Sequence, residues 1–170
     1  MKALITAGAV LAIAGAASAT DFNLPVPDLA GGEGASFPVT LPVDTTAMDI
    51  SFEITGISGS ASWASDVQFI VSDAGGTVYT IGGFTNAGDQ DIDWAFAGSG
   101  STDDGFYSDS FALALPAGDY TLTVVNDWDS ASAATMSFPA GMDVVFTKVP
   151  TPGAAGLLGL AGLAAVRRRR

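Results

Sequence analysis

The chain contains no cysteine and no histidine among its 170 residues. Without cysteine there is neither a disulfide framework nor a thiolate. Without histidine, the commonest transition-metal ligand and the usual general base near neutral pH are missing as well. Zinc, copper and haem sites are disfavoured, and neither a Ser/His nor a Cys/His nucleophile can be assembled. Glutamate is scarce too. Glu33 falls in a leader segment and Glu53 on the polar face of a strand, so a glycosidase pair across a cleft would have to come from aspartates. These absences lead to the expectation that the protein is not an enzyme.

Positive charge is almost absent from the middle of the chain. The six basic residues are Lys2, Lys148 and Arg167 to Arg170, whereas all 18 acidic residues lie between Asp21 and Asp143. Residues 20–149 therefore carry 18 acidic and one basic side chain, a net charge of −17. Such a body repels phosphate backbones and anionic membranes, which excludes nucleic acid as a partner. Two readings of the acidity stay open: solubility in a salty or cation-rich exterior, and divalent-cation binding.

Both ends read as targeting segments. Met1 and Lys2 precede the apolar run Ala3 to Ala14, and Ala17-Ser18-Ala19 supplies a small-x-small cleavage site, so residues 1–19 read as a signal peptide cut after Ala19. A dozen helical residues reach only about 18 Å against a hydrocarbon core of about 30 Å, which argues against a retained anchor. At the other end, Val149-Pro150-Thr151-Pro152-Gly153 breaks any preceding strand. An entirely Gly, Ala, Leu and Val run from Ala154 to Val166 follows, and Arg167, Arg168, Arg169 and Arg170 close the chain. Arginines beside an apolar helix hold that end on the cytoplasmic side, leaving the body outside.

Residues 149–170 resemble the PEP-CTERM sorting signal of exported bacterial proteins, in which a Pro-rich motif, a short transmembrane helix and an Arg cluster stand in this order. The resemblance implies that export machinery and signal peptidase handle the chain first. An exosortase-like membrane protease would then act near Val149, Pro150, Thr151, Pro152 and Gly153, leaving the body in the envelope, at the surface or released. Where the family has an acidic residue between the two prolines, this chain has Thr151.

Between the signals, residues 20–33 carry two prolines and a glycine pair without periodicity and read as a linker. Residues 34–148 read as a β-sandwich of short antiparallel strands: 37–41, 48–55, 67–72, 77–81, 92–97, 108–115, 119–125, 135–138 and 142–147. Ile50, Phe52 and Ile54 alternate with Ser51, Glu53 and Thr55, as Tyr120, Leu122 and Val124 do with Thr121 and Thr123. Pro38 demotes its strand to an edge. Ser72 to Gly76 and Pro116 to Asp119 read as hairpin turns. The strand-turn-strand phrases 67–81 and 115–124 resemble the jelly-roll modules of pre-peptidase and P-domain type appended to secreted bacterial proteins. The expected fold is thus an all-β, jelly-roll-like sandwich flanked by a signal helix and a short transmembrane helix.

Candidate chemistry is confined to carboxylates and indoles. Asp89, Asp91 and Asp93 alternate in an extended segment, which would aim them one way, and calcium takes six to eight oxygens. They form a candidate calcium site, with solvated carboxylates as the alternative and no other cofactor indicated. The spacing is not that of an EF-hand, because Trp94 and Gly100 occupy the positions needing Gly and Glu. The loop 126–129 and the set Asp103, Asp104 and Asp109 could add ligands if they met at one rim. Of Trp63, Trp94 and Trp128, the second alternates with Ile92 and Phe96 and is expected in the core. Trp128, among loop carboxylates, is the candidate for exopolysaccharide contact.

Overall fold

The computed structural model describes residues 19–84 and 90–148, and residues 19–148 form one compact unit. The signal segment up to Ser18, Asp89, the sorting motif and the Arg cluster lie outside the described residues. Alternating apolar residues demand a sheet with one face buried, and two such sheets close on each other. The strands are β1 (Ala19–Leu24), β2 (Gly34–Leu41), β3 (Thr45–Ile54), β4 (Val67–Asp73), β5 (Gly76–Gly82), β6 (Gly105–Leu115), β7 (Gly118–Asn126) and β8 (Met142–Lys148). They build two four-stranded antiparallel sheets, ordered β1-β8-β3-β6 and β2-β7-β4-β5. Among these connections only β4 to β5 stays within one sheet, and the interleaved order is that of a jelly roll. Among the described residues the only helical pieces are the 3₁₀ turns Ala64–Asp66 and Ser99–Ser101.

The core lies between the sheets. Met48, Ile50, Phe52 and Ile54 of β3 face Val67, Phe69 and Val71 of β4 and Leu122 and Val124 of β7, all fully or almost fully buried. Phe52 is its aromatic centre, within 5.8 to 6.2 Å of the rings of Trp94, Phe96, Tyr107 and Phe138. Trp94 is buried, and its indole N–H donates to the Val67 carbonyl at 2.7 Å, which satisfies the one polar atom it brings inside.

Four sequence expectations are corrected. Residues 20–33 are not a linker. β1 pairs with β8 along Ala19↔Thr147 to Leu24↔Met142, and Leu24, Val26 and Leu29 are buried. Asn126 fastens the segment further by donating to the Leu29 carbonyl at 3.1 Å. Next, Ile92 to Ala97 is no strand, although its apolar alternation is real: only Ile92 bridges β5, at Ile81, and the chain then turns to lower Trp94 into the core. Thr135 to Phe138 likewise reduces to isolated bridges, Leu29↔Met136 and Thr55↔Ser137. Finally, Pro116 to Asp119 carries the chain from one sheet to the other instead of closing a hairpin, whereas Ser72 to Gly76 does join paired strands.

Open sheets expose edges that invite pairing with other chains, and each edge here is blunted. Pro38 sits in edge strand β2, where a missing N–H costs least. The second half of β5 is covered by residues 91 and 92, whose amides both donate to the Thr80 carbonyl. On β6 the Asp109 carboxylate caps the Ala95 and Ser110 amides at 2.5 and 2.8 Å. β1 is short, with six residues.

Candidate functional site

Described residues 19–148 hold Lys148 as their single basic side chain, so the carboxylates recruit backbone amides in place of cations. Asp44 accepts from Ala117, Asp73 from Gly75, Asp91 from Thr80 and Glu33 from Ala30, each within 2.7 to 3.0 Å. Asp104 takes two at 2.8 Å, from Ile57 and Ser58, and returns one from its own amide to the Ser58 hydroxyl. These bonds, led by Ser58, hold its carboxyl below the ordinary carboxylate range. Asp104→Ala should free the Ile57 and Ser58 amides, which native-state hydrogen exchange would register as lost protection at those two positions. Unchanged protection would mean that the loop holds itself.

The sequence-nominated calcium residues do not gather among the described residues. Asp91 is engaged by Thr80, Asp93 accepts from the Gln90 side chain at 2.9 Å, and Asp89 lies outside the described residues. Asp104 and Asp109 serve different loops, and no three acidic side chains among the described residues could hold a metal. Trp128 is half-buried, stacked edge-on against Phe84 with centroids 4.5 Å apart, so its ring is not a free platform. Trp63 is exposed at the first 3₁₀ turn.

Two arrangements were not legible from spacing. At one end of the β2-β7-β4-β5 sheet, Asp66 is almost wholly buried and accepts from the Trp63 amide at 2.7 Å, while Asp127 accepts from Phe84 at 2.8 Å. The Asp127 amide donates to the Asp66 carbonyl, bringing the two residues together. Burial, with repulsion from Asp127 adding to it, pushes the Asp66 carboxyl up to about 6.

The second arrangement is the outer face of the β1-β8-β3-β6 sheet. Register places Asp21, Val145, Asp49 and Ser110 in one row, and Asn23, Asp143, Ser51 and Ser108 in the next. Glu53 and Phe106 stand opposite each other in a third row. A shallow depression of about 510 Å³ is lined here by Asp49, Ser51, Phe106, Ser108, Ser110 and Val145, among others. Phe106 is 70 % exposed, against 40 % for Trp63. Asn23 donates to Asp143 at 2.7 Å. The opposite sheet turns outward a face carrying Ser36, Thr40, Thr121, Thr123 and Ile70, with Asp119 as an acidic member.

No family model and no curated protein matches the chain. Among solved structures, a chain described as the STIV MCP matches with a TM-score of 0.45 and 14 % identity, over 78 % of this chain and 48 % of its own. The CUB1-EGF-CUB2 domain of human MASP-1/3 matches with a TM-score of 0.35 and 12 % identity, over 82 % and 45 %. This chain thus spans about half the length of either.

Proposed function

We propose that the protein is an exported, non-catalytic component of the bacterial cell surface or extracellular matrix, sorted through its PEP-CTERM-like tail. The carrying observation is the order of Pro-rich motif, apolar run and four arginines at residues 149–170, paired with a signal-type segment at residues 1–19. What supports it further is that, among the described residues, the eight strands between Ala19 and Lys148 pair into two four-stranded sheets as one compact unit. Its loops and strand ends use carboxylate-to-amide bonds, which suit an acidic exterior protein without disulfides. Signal peptidase would act at Ala17-Ser18-Ala19, and an exosortase-like protease at Val149 to Gly153.

Replacing Arg167 to Arg170 by glutamines is expected to leave the body unsorted, measured by surface labelling of whole cells. Mass spectrometry of the surface form should find a new C-terminus near residues 149–153. Delivery of the glutamine variant at the normal level, together with a surface form of the parent that still ends in Arg170, would overturn the reading.

A second reading, a secreted module that binds polysaccharide, is favoured by one observation: a large aromatic, Phe106, stands exposed on a sheet face that carries carboxylates, serine hydroxyls, Asn23 and Val145 beside it.

A further inference from the structure

The outer face of the β1-β8-β3-β6 sheet combines three features. It carries four acidic side chains, Asp21, Asp49, Glu53 and Asp143, with no basic one among them. Serine hydroxyls from β3 and β6 fill the positions between. Phe106 presents its ring to solvent beside this grid. Neighbouring strands lie about 4.8 Å apart and same-face residues about 6.8 Å apart along a strand, so the charges spread over a flat patch and do not meet at one point. A spread of this kind fits a polymer that delivers positive charges at intervals better than it fits a single ion.

The shape of the face narrows the polymer. Peptides commonly bind by adding a strand to a sheet edge, by laying a helix in an apolar groove or by docking a polyproline segment in an aromatic-lined groove. The edges are blunted by Pro38, by residues 91 and 92 and by Asp109, and the face holds a shallow depression in place of a groove. A sugar ring has a C–H face that can lie on an aromatic ring and hydroxyls that can donate to carboxylates and serines. Anionic glycans are repelled by a body of charge −17, arithmetic that follows from 18 acidic and one basic residue in 20–149. Neutral ones leave the acidic grid unanswered.

We propose that this face docks an amine-bearing polysaccharide, one whose sugars carry free amino groups, with Phe106 as the stacking platform and Asp49, Glu53, Asp143 and Asp21 as partners of the amines. The proposal rests on the exterior location argued above and makes the polysaccharide reading specific. Its test is made on purified protein, so a negative result leaves the sorting reading standing.

The experiment is calorimetric titration of the full chain in neutral-detergent micelles with glucosamine hexasaccharide, its fully N-acetylated counterpart and hexalysine, at mildly acidic pH and physiological salt. The glucosamine oligomer is expected to bind at least about tenfold more tightly than the other two, a difference of about 1.4 kcal/mol. Phe106→Ala should weaken it by about tenfold or more, as truncation of a central aromatic contact does, while Phe106→Tyr keeps the ring and the affinity. Asp49→Asn should weaken it too, whereas Asp28→Asn, at an exposed residue in the segment after β1, should not. Equal binding of the acetylated oligomer would overturn the role of charge. Hexalysine binding as tightly as the glucosamine oligomer, or indifference to Phe106→Ala, would overturn the glycan assignment in favour of a basic peptide or simple polyelectrolyte attraction.

Discussion

Gly82→Ala is expected to destabilise the sandwich by about 3–5 kcal/mol, as much as losing a buried aromatic side chain, although it adds one methyl group. Gly82 ends β5 with φ +64°, a conformation unfavourable for residues bearing a Cβ. A Cβ built there would lie 1.7 Å from Trp94 Nε1, 2.2 Å from Cδ1 and 2.6 Å from Cε2. The indole cannot yield in place, because its N–H is committed to Val67 and its ring packs on Phe52, Phe96 and Phe111 at 5.1 to 5.9 Å. Trp94 must leave, and with it goes the plug that closes this side of the core.

Domains of this size retain roughly 5–15 kcal/mol of stability, so the variant should melt far below the parent or fail to accumulate. Gly100→Ala, with open space around its Cβ, is the control and should stay within about 0.5 kcal/mol. In the double variant with Trp94→Ala the two costs should sum to less than their separate values, because the alanine methyl then enters vacated space. Chemical denaturation of the parent and the four variants measures this. A loss under about 1 kcal/mol for Gly82→Ala would mean that the indole has a second resting place.

The same residue pair illustrates what the sequence could and could not convey. Alternation exposed the inner faces of β3 and β7, because Ile50, Phe52 and Ile54, or Tyr120, Leu122 and Val124, face one core and carry polar partners between them. Trp94 was legible as buried for the same reason, yet its backbone was not. Ile92, Trp94 and Phe96 alternate while the chain around them turns, since one large plug imitates the period of a strand.

β1 was hidden by the opposite circumstance. Phe22 and Leu24 alternate with Asp21 and Asn23, but Pro25 and Pro27 follow at once. The partner that makes this a strand, β8, lies about 120 residues away, as the Asn23 to Asp143 bond shows. The carboxylates were read as clusters in sequence, whereas their partners are amides of distant loops, Ile57 for Asp104 and Ala117 for Asp44. Phe106 drew no notice because it precedes the apolar run of β6, and only register puts it beside Glu53 on an acidic face.

Acidification from pH 7 should strengthen the fold at one site even as it weakens others, and Asp66 is that site. Its carboxyl is raised from 3.8 to about 6, first by burial and then by Asp127, against the lowering effect of the Trp63 amide. A raised acid binds its proton more readily folded than unfolded. Between pH 6 and 4 the native state therefore holds more protons, and its stability rises as pH falls. The gap of about two pK units corresponds to at most about 3 kcal/mol, absent at pH 7 and present in full below the unfolded value.

Asp66→Asn should supply the neutral form at every pH, keeping an oxygen for the Trp63 amide. It is expected to be more stable than the parent at pH 7 by up to about 3 kcal/mol and to converge with it near pH 4. Asp127→Asn removes the neighbouring charge, so the parent's rise should begin at lower pH. The Asp104 carboxylate acts with the reverse sign, its contribution being lost as pH falls through its lowered pKa. The informative quantity is consequently the difference between variant and parent in urea midpoints across pH 4 to 8. A constant difference would mean that Asp66 is ionised without penalty, with water reaching its carboxylate through the end of the sheet.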